Sequence, residues 1–299
     1  MGGLSQGIDV YSGNEPIDWG AVRAAPQSIQ FVGIKLGEGT WTGYPLDIAI
    51  KQYDGSLQAG IPYRFWYTYA HPEYSPVEQA AYAKQRAGSR LGEWPLARDY
   101  EDTDQPWCKP QSYTSANYAT VKVNALRLFN WINDDLKAHD DAFGRLTTLY
   151  TGSWWINWMM EVARIEGWDT AFIISHKLWN AAYTANELLP IGWSSSWIWQ
   201  YSSSGTVSGI PTRCDMNAIA KETLAPGPAP EPQPASQVQI VHCYILAAHK
   251  SASLLSLPSG WFRTGDITPI VSMASDSRGV LWIQTGKGWI KSYYTQKVN

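Results

Sequence analysis

The sequence predicts an α/β chain: a modified (β/α) barrel, a linker, and a small all-β barrel. Three observations predict it. Short apolar runs alternate with segments of helical length and spacing through roughly the first 220 residues. The stretch APGPAPEPQPAS, residues 225–236, carries five prolines at alternate positions, a composition that favours extended polyproline II and resists packing into a core. Beyond it, residues 237–299 alternate apolar and polar positions in short runs with no helical pattern. The predicted organisation is a first domain over 1–223, a proline-rich linker over 224–236 and a second domain over 237–299.

In chain order, the strands predicted in the first domain are Gly7 to Tyr11, Ile29 to Leu36, Tyr63 to Tyr69, Pro95 to Tyr100, Leu146 to Thr151, Leu178 to Tyr183 and Trp197 to Tyr201. Each is an apolar or alternating run bounded by Gly, Pro or polar clusters. Between them, Ile48 to Ala59, Pro76 to Ala87, Ser115 to Ala138 and Ser153 to Ile165 have helical length and spacing, the second with Ser75 as its cap and Pro76 at its first position. Seven or eight strands in ~220 residues favour a closed barrel over an open sheet, and the last strands lie too close together for full helices between them. In the tail, Ile240 to Leu246 and Val280 to Thr285 read as strands, with Gly-Lys-Gly at 286–288 turning the chain.

Composition excludes several classes of function. The 299 residues are 44% hydrophobic and 16% charged, which suits a chain that buries a core. A net charge of -3, with no basic cluster interleaved with aromatics, excludes a nucleic-acid groove. No run approaches the ~18 apolar residues of a membrane span, so no membrane insertion is expected. Cys108, Cys214 and Cys243 are odd in number and widely spaced, and read as free thiols. The histidines at 71, 139, 176, 242 and 249 form no ligand pair, and neither a phosphate loop nor a G-x-S-x-G elbow occurs. No metal and no cofactor is predicted. The 17 Trp and 17 Tyr suit a glycan groove, because aromatic faces stack on the apolar faces of sugar rings, although most such side chains fill cores.

In a (β/α) barrel, side chains at the C-terminal ends of the strands project into the mouth, where chemistry occurs. Asp9 lies in the first predicted strand, Asp99 and Glu101 close the fourth, and Asp215 follows the last. Positions 99 and 101 differ by two, so strand periodicity puts both carboxylates on one face, about 6.6 Å apart along the backbone. Two acids in a partly desolvated site repel each other's charge, so one keeps its proton near neutral pH while the other stays an anion. Glycosidic cleavage needs that division of labour. Glu101, with the longer reach, is the predicted acid, and Asp99 its charged partner. The competing view is a solvated acidic loop continuing through Asp102 and Asp104, against which stands the buried-type run WPLA leading into the pair.

The ordered blocks GIDVYSG, IDWGAV, FVGIKLGEGT, AGIPYRFWYTYA, ARDYE, LYTGSWW and WIWQYSSSGTVSGIPTRCDMNAI resemble the family 25 glycoside hydrolases, the Chalaropsis-type lysozymes that include many phage endolysins. The resemblance covers about residues 6–220. It implies a TIM-like (β/α)5(β)3 barrel and hydrolysis of the β-1,4 bond between N-acetylmuramic acid and N-acetylglucosamine in bacterial peptidoglycan. It makes Glu101 the proton donor, matches Asp99, Asp9 and Asp215 to active-site acids, and places Lys35, Tyr67, Tyr150, Tyr183, Gln200 and Tyr201 in blocks that line the groove. It also implies a retaining course, with the substrate's own 2-acetamido group as nucleophile; i, i+2 spacing alone leaves the nucleophile open.

Two departures stand out. Trp66, Tyr67 and Thr68 occupy the third strand where many members carry Y-H-F, which leaves the register there open. The usual D-V-E is D-Y-E, with Tyr100 expected to point away from the acids. The tail resembles bacterial SH3 domains in VLWIQTGKGWIKSYY, whereas HKSASLLSLPSG replaces the usual L-N-V-R-S-G-P block. That resemblance implies tethering to a cell wall, which raises local enzyme concentration. The N-terminal MGGLSQGIDV has neither a basic region nor an apolar one of the secretory kind. The expectation is synthesis in a host cytoplasm and release to act on a Gram-positive wall, through a holin if the chain is phage-encoded, with a monomer favoured. A wall-binding barrel without catalysis and a glycosidase acting on a related polymer such as chitin are the alternatives.

Overall fold

The computed structural model describes residues 3–103 and 105–220, together with the strands of the tail. The chain divides into two compact units, Met1–Ala225 and Pro226–Asn299. The first contains, in order, β1 (Leu4–Val10), α1 (Trp19–Ala24), β2 (Phe31–Glu38), α2 (Leu46–Gln58), β3 (Tyr63–Tyr69), α3 (Pro76–Ala87), β4 (Ala97–Asp99), α4 (Tyr118–Phe143), β5 (Thr148–Thr151), α5 (Ser153–Glu166), the one-turn α6 (Ala171–Ile174), β6 (Leu178–Ala181), β7 (Ile198–Gly205) and β8 (Cys214–Ala220). The eight strands close into a barrel in sequence order. Strands β1 to β7 pair in parallel, while β8 runs antiparallel to both β7 and β1. Five strands are thus each followed by a helix, and three further strands complete the barrel.

Local chemistry accounts for the helix ends. Ser75 caps α3 by accepting from the Glu78 amide, and Pro76 takes the first position, where its missing N–H costs nothing. Gly144 and Gly167, at φ 68° and 69°, end α4 and α5 in the left-handed conformation that glycine adopts without a Cβ penalty. α1 is too short to announce itself by periodicity, and is started by the Asp18 carboxylate accepting from the Ala21 amide.

One expectation is corrected. Asp215 does not follow the last strand but lies inside β8, as the Cα partner of Asp9 on β1. The segment escaped recognition because its burial is inverted relative to a half-solvated strand. Cys214 and Met216 face the outer apolar cluster, while Asp215 and Asn217 face the barrel interior.

Below the mouth, the interior is filled by Phe31, Phe65, Trp94, Trp179, Ile198 and Ile219, with Phe65 edge-on to Trp179 at 5.2 Å between centroids. Two outer clusters pack the helices against the strands. Gly7 is what lets Phe31 occupy the interior, since a Cβ there would lie 2.2 Å from the ring.

The second unit's described residues are strands: β9 (Gln237–Ile240), β10 (Ile245–His249), β11 (Pro258–Arg263), β12 (Ile267–Pro269), β13 (Ser272–Ser275), β14 (Leu281–Thr285), β15 (Gly288–Lys291) and β16 (Thr295–Val298). They form a five-stranded sheet, β11-β10-β15-β14-β13, and a three-stranded one, β12-β9-β16, with antiparallel pairing throughout. The linker predicted over 224–236, Cys243 and the Gly-Lys pair at 286–287 lie outside the described residues.

Replacing Gly7 by Ala drives a methyl into the Phe31 ring and is expected to cost on the order of 1–3 kcal/mol. At about 2–4 °C per kcal/mol for a domain of this size, the loss will be visible in a thermal melt. Adding Phe31→Leu should recover part of it, whereas no recovery would show that the two side chains do not meet.

Candidate active site

Alternation along the barrel strands sends one set of side chains outward and the other into the lumen. The inward set at the C-terminal end of the parallel strands comprises Asp9, Lys35, Tyr67, Asp99, Tyr150, Trp179 and Gln200. Asp215 joins it from the start of the antiparallel β8. With Tyr11 and Glu101, each one residue or two past a strand end, they line a cavity of about 200 Å³. A larger cavity, about 360 Å³, opens at the opposite barrel end around Trp193 and Trp197. It contains no carboxylate, so the acid chemistry belongs to the smaller one.

Asp9 is the most elaborately held group. Its Oδ2 accepts from Gln200 Nε2 at 2.9 Å and from Asn217 Nδ2 at 2.7 Å. Gln200 is in turn fixed by the hydroxyls of Tyr150 and Tyr183, which donate to its Oε1 at 2.8 and 2.6 Å. Asn217 is fixed by Trp179, whose indole N–H donates to Oδ1 at 2.7 Å. Asp9 is 4% exposed. Burial first, and the Asp215 charge second, push its carboxyl well above the ordinary carboxylate range, and the donated hydrogen bonds offset only part of this. Asp215, half-buried, is also pushed up by burial, while its hydrogen bond with Asp9 pulls it down. The signs describe one proton held by Asp9 and donated to an Asp215 carboxylate.

The second acid pair lies across the cavity. Asp99 is 5% exposed and its Oδ1 has no hydrogen-bond partner. Burial and then the Glu101 charge push its carboxyl well up, against the pull of Lys35. Glu101 is half-buried and raised by burial, with Lys35 pulling it down and Asp215 adding to the rise. Lys35 itself is paired with Glu38 at 2.6 Å. Glu38 is held down to about 2 by its hydrogen bond with His71 and by Lys35. Asp99 is the deeper of the two acids: it ends β4 inside the barrel at 5% exposure, whereas Glu101 reaches solvent.

Of the residues singled out in the sequence, Asp9, Asp99, Glu101, Asp215, Lys35, Tyr67, Tyr150 and Gln200 meet in the cavity. Tyr183 stands at its rim, half in solvent, bonded to Gln200. Tyr201 does not belong. It lies on the outer face of β7, where its hydroxyl donates to Gln6 Oε1 at 2.6 Å and its ring packs on the outer cluster. Neighbouring strand residues face opposite ways, so inward Gln200 forces Tyr201 outward. The third-strand register is settled the same way. Tyr67 points in, Trp66 stacks outward on Tyr53 at 4.8 Å, and Thr68 accepts from Arg98. Tyr100 points away from the acids and donates to Asp135 Oδ2 at 2.6 Å. Tyr11, Trp179 and Asn217 were not anticipated. The last two fall on the inward set of strands whose period of two would have selected them. Among the described residues no cluster of His, Cys, Asp or Glu has the arrangement of a metal site.

Asp9→Asn should act as an isostere of the protonated acid: its Oδ1 accepts from Gln200 and Asn217, and its Nδ2 donates to Asp215. Because the folded value of Asp9 lies above the ordinary 3.8, the wild type carries no penalty from this group below that value. The penalty grows as pH rises and is complete above the raised folded value. The variant is therefore expected to melt at least ~3 °C higher than wild type at pH 7, and the two should converge near pH 3. Equal melting at both pH values would show that Asp9 is ionised in the folded protein.

The chain matches the family model described as glycosyl hydrolases family 25 over residues 8–210. It is 28% identical over 218 residues to Lysozyme M1 of Streptomyces globisporus, an alignment that covers 71% of this chain and 66% of that relative, just under two thirds of its length. Among solved structures, the bacterial lysozyme of Streptomyces coelicolor is similar at 26% identity and TM-score 0.55, over 72% of this chain and 91% of that one. A family GH25 lysozyme from Aspergillus fumigatus shares the fold at 23% identity and TM-score 0.54, over 73% and 94% of the two chains. The catalytic domain of endolysin ply40, from a bacteriophage of Listeria monocytogenes, shares it at 19% identity and TM-score 0.50, over 75% and 95%.

Proposed function

We propose that this chain, which belongs to the family 25 glycosyl hydrolases, is a muramidase that hydrolyses the β-1,4 bond between N-acetylmuramic acid and N-acetylglucosamine in peptidoglycan. The supporting observation is the meeting of two carboxyl pairs, Asp9 with Asp215 and Asp99 with Glu101, around one cavity at the mouth of the barrel.

Glu101 is the general acid, because it combines a raised carboxyl with enough exposure to reach a glycosidic oxygen and, unlike Asp215, has no neighbouring acid donating to it. Asp99 is the anion. A bound sugar displaces water from Glu101 and raises its affinity for the proton. The sugar's 2-acetamido N–H meets the unpartnered Oδ1 of Asp99 and lowers that of Asp99. Binding thus places the proton on Glu101 and the charge on Asp99, and creates the acid and the base together. Glu101 then protonates the leaving oxygen as the C1–O bond breaks. The acetamido carbonyl oxygen attacks C1 while Asp99 takes the N–H proton, leaving a neutral oxazoline. Water, deprotonated by Glu101, opens that ring with retention, and Asp99 returns its proton to the amide nitrogen. Asp9 and Asp215 hold negative charge beside the developing oxocarbenium ion.

The reading extends to the whole chain as an endolysin, made inside a host cell and released to lyse a Gram-positive wall. Its support is the pairing of a family 25 barrel with a tail that resembles bacterial SH3 domains and serves as the wall tether.

Digestion of purified peptidoglycan followed by borohydride reduction and mass spectrometry tests the reaction. Reduced muramic acid ends are expected from wild type, and Glu101→Gln should lower the rate by about 10²–10⁴-fold. Reduced glucosamine ends would sink the muramidase reading, and full activity of the Gln variant would remove Glu101 as the acid.

A further inference from the structure

Among the aromatic side chains that stand in solvent just past the C-terminal ends of strands are Tyr11, Trp41 and Trp154, at 50%, 53% and 52% exposure. Tyr11 follows β1, Trp41 lies three residues past β2, and Trp154 is the second residue of α5, three past the end of β5. Each ring lies against a glycine two residues away. A Cβ on Gly13 would come within 2.5 Å of the Tyr11 ring, and one on Gly43 within 2.5 Å of the Trp41 indole. At Gly152 it would come within 2.1 Å of Trp154 Nε1 and 2.8 Å of the Ala181 carbonyl. None of the three glycines has a positive φ; at Gly13 and Gly43 the ring is what a Cβ would meet, and at Gly152 the ring together with the Ala181 carbonyl. Neither indole N–H donates a hydrogen bond among the described residues. These rings are held in place by the main chain, yet nothing in the barrel unit covers their outer faces.

β2 and β5 stand three strands apart in a closed eight-stranded barrel, which separates their ends by on the order of 14 Å. β4, with Asp99, adjoins β5, and β1, with Asp9, adjoins β2, so the two tryptophans follow strands next to those that carry the two acid pairs, at separate points around the mouth. Exposed, pre-oriented rings of this kind take the apolar face of a pyranose at little entropic cost, and stacking needs no charge on the sugar.

We propose that Trp41 and Trp154 are the two ends of a stacking track that holds a linear, uncharged β-1,4 glycan backbone across the mouth, so that cleavage falls inside long strands. The track rests on reading the cavity as a glycosidase site. Calorimetric titration of the full chain carrying Glu101→Gln, with chitohexaose and chitobiose as probes, tests it. The parent should prefer the hexamer. Adding Trp41→Ala or Trp154→Ala should each lower the hexamer-to-dimer affinity ratio about tenfold. Gly43→Ala, which keeps the indole but displaces it, should lower the ratio at least ~3-fold. A parent without preference, or a ratio unchanged in either tryptophan variant, overturns the track. A ratio lost in Trp41→Ala yet kept in Gly43→Ala overturns the glycine seating. If wild type prefers the hexamer but releases no reducing ends from peptidoglycan, the muramidase reading falls and the track stands.

Discussion

Closure of the barrel by an antiparallel eighth strand is the constraint on which the site depends. Seven parallel strands present their C-terminal ends at one mouth, and a parallel eighth would present its C-terminal end there too. Because β8 runs the other way, it brings the start of the strand to the mouth and places Asp215 opposite Asp9 as a Cα pair. Directly opposed residues on antiparallel strands lie roughly 4.5–5.5 Å apart at Cα, too close for two carboxylates to ionise independently in a buried setting. The shared proton follows from the register. The same register brings Asn217, two residues on, to the Asp9 carboxyl, and the β7 pairing brings Gln200 to its other side.

The opposite acid pair depends on a different device. β4 is only three residues long, too short to be positioned by its ladder alone. Its outward residue, Arg98, makes a bidentate pair with Asp135 of α4 at 2.8 and 3.0 Å, both side chains being almost wholly enclosed. Arg98 also donates to Thr68 and Gln79, and Tyr100 donates to the same Asp135 carboxylate. A buried ion pair adds little net stability against apolar replacements, but its fixed geometry specifies where a strand sits. Asp99 and its flanking residues thus alternate between two tasks: outward groups bolt the strand to α4, and inward groups face the substrate. The tyrosine in D-Y-E belongs to the bolting set.

Strand and helix alternation, the proline-rich stretch and the acid positions were legible in the sequence because each rests on local pattern. What was not legible rests on long-range burial. The last barrel strand, CDMNAIA, alternates apolar and polar residues only over its first four positions, too short a run to mark it, and its pairing with β1 and β7 is what makes it a strand. Tyr201 was misplaced because block resemblance does not carry facing, whereas the parity set by Gln200 does. Asn217 lies two residues beyond Asp215, on the inward parity of β8. Applying parity from Asp215 and Gln200 would have recovered Asn217 and rejected Tyr201. The relative depth of Asp99 and Glu101 is of another kind: it depends on where β4 stops, and three residues of ladder give no sequence signal for that.

The division of the barrel interior into two halves explains why the acids behave as they do. The lower half is a packed aromatic and aliphatic plug, Phe31, Phe65, Trp94 and their neighbours, which keeps water from reaching the mouth from below. Four carboxyls and one lysine resting on that plug have solvent on one side only, so burial is the largest influence on every acid of the cavity. Lys35 offsets only part of this at Asp99 and Glu101, since it is also paired with Glu38. The site is therefore a store of electrostatic cost, supported by packing beneath it. A sugar that replaces the remaining water deepens the desolvation of Glu101, which is the acid that must hold its proton when the bond breaks.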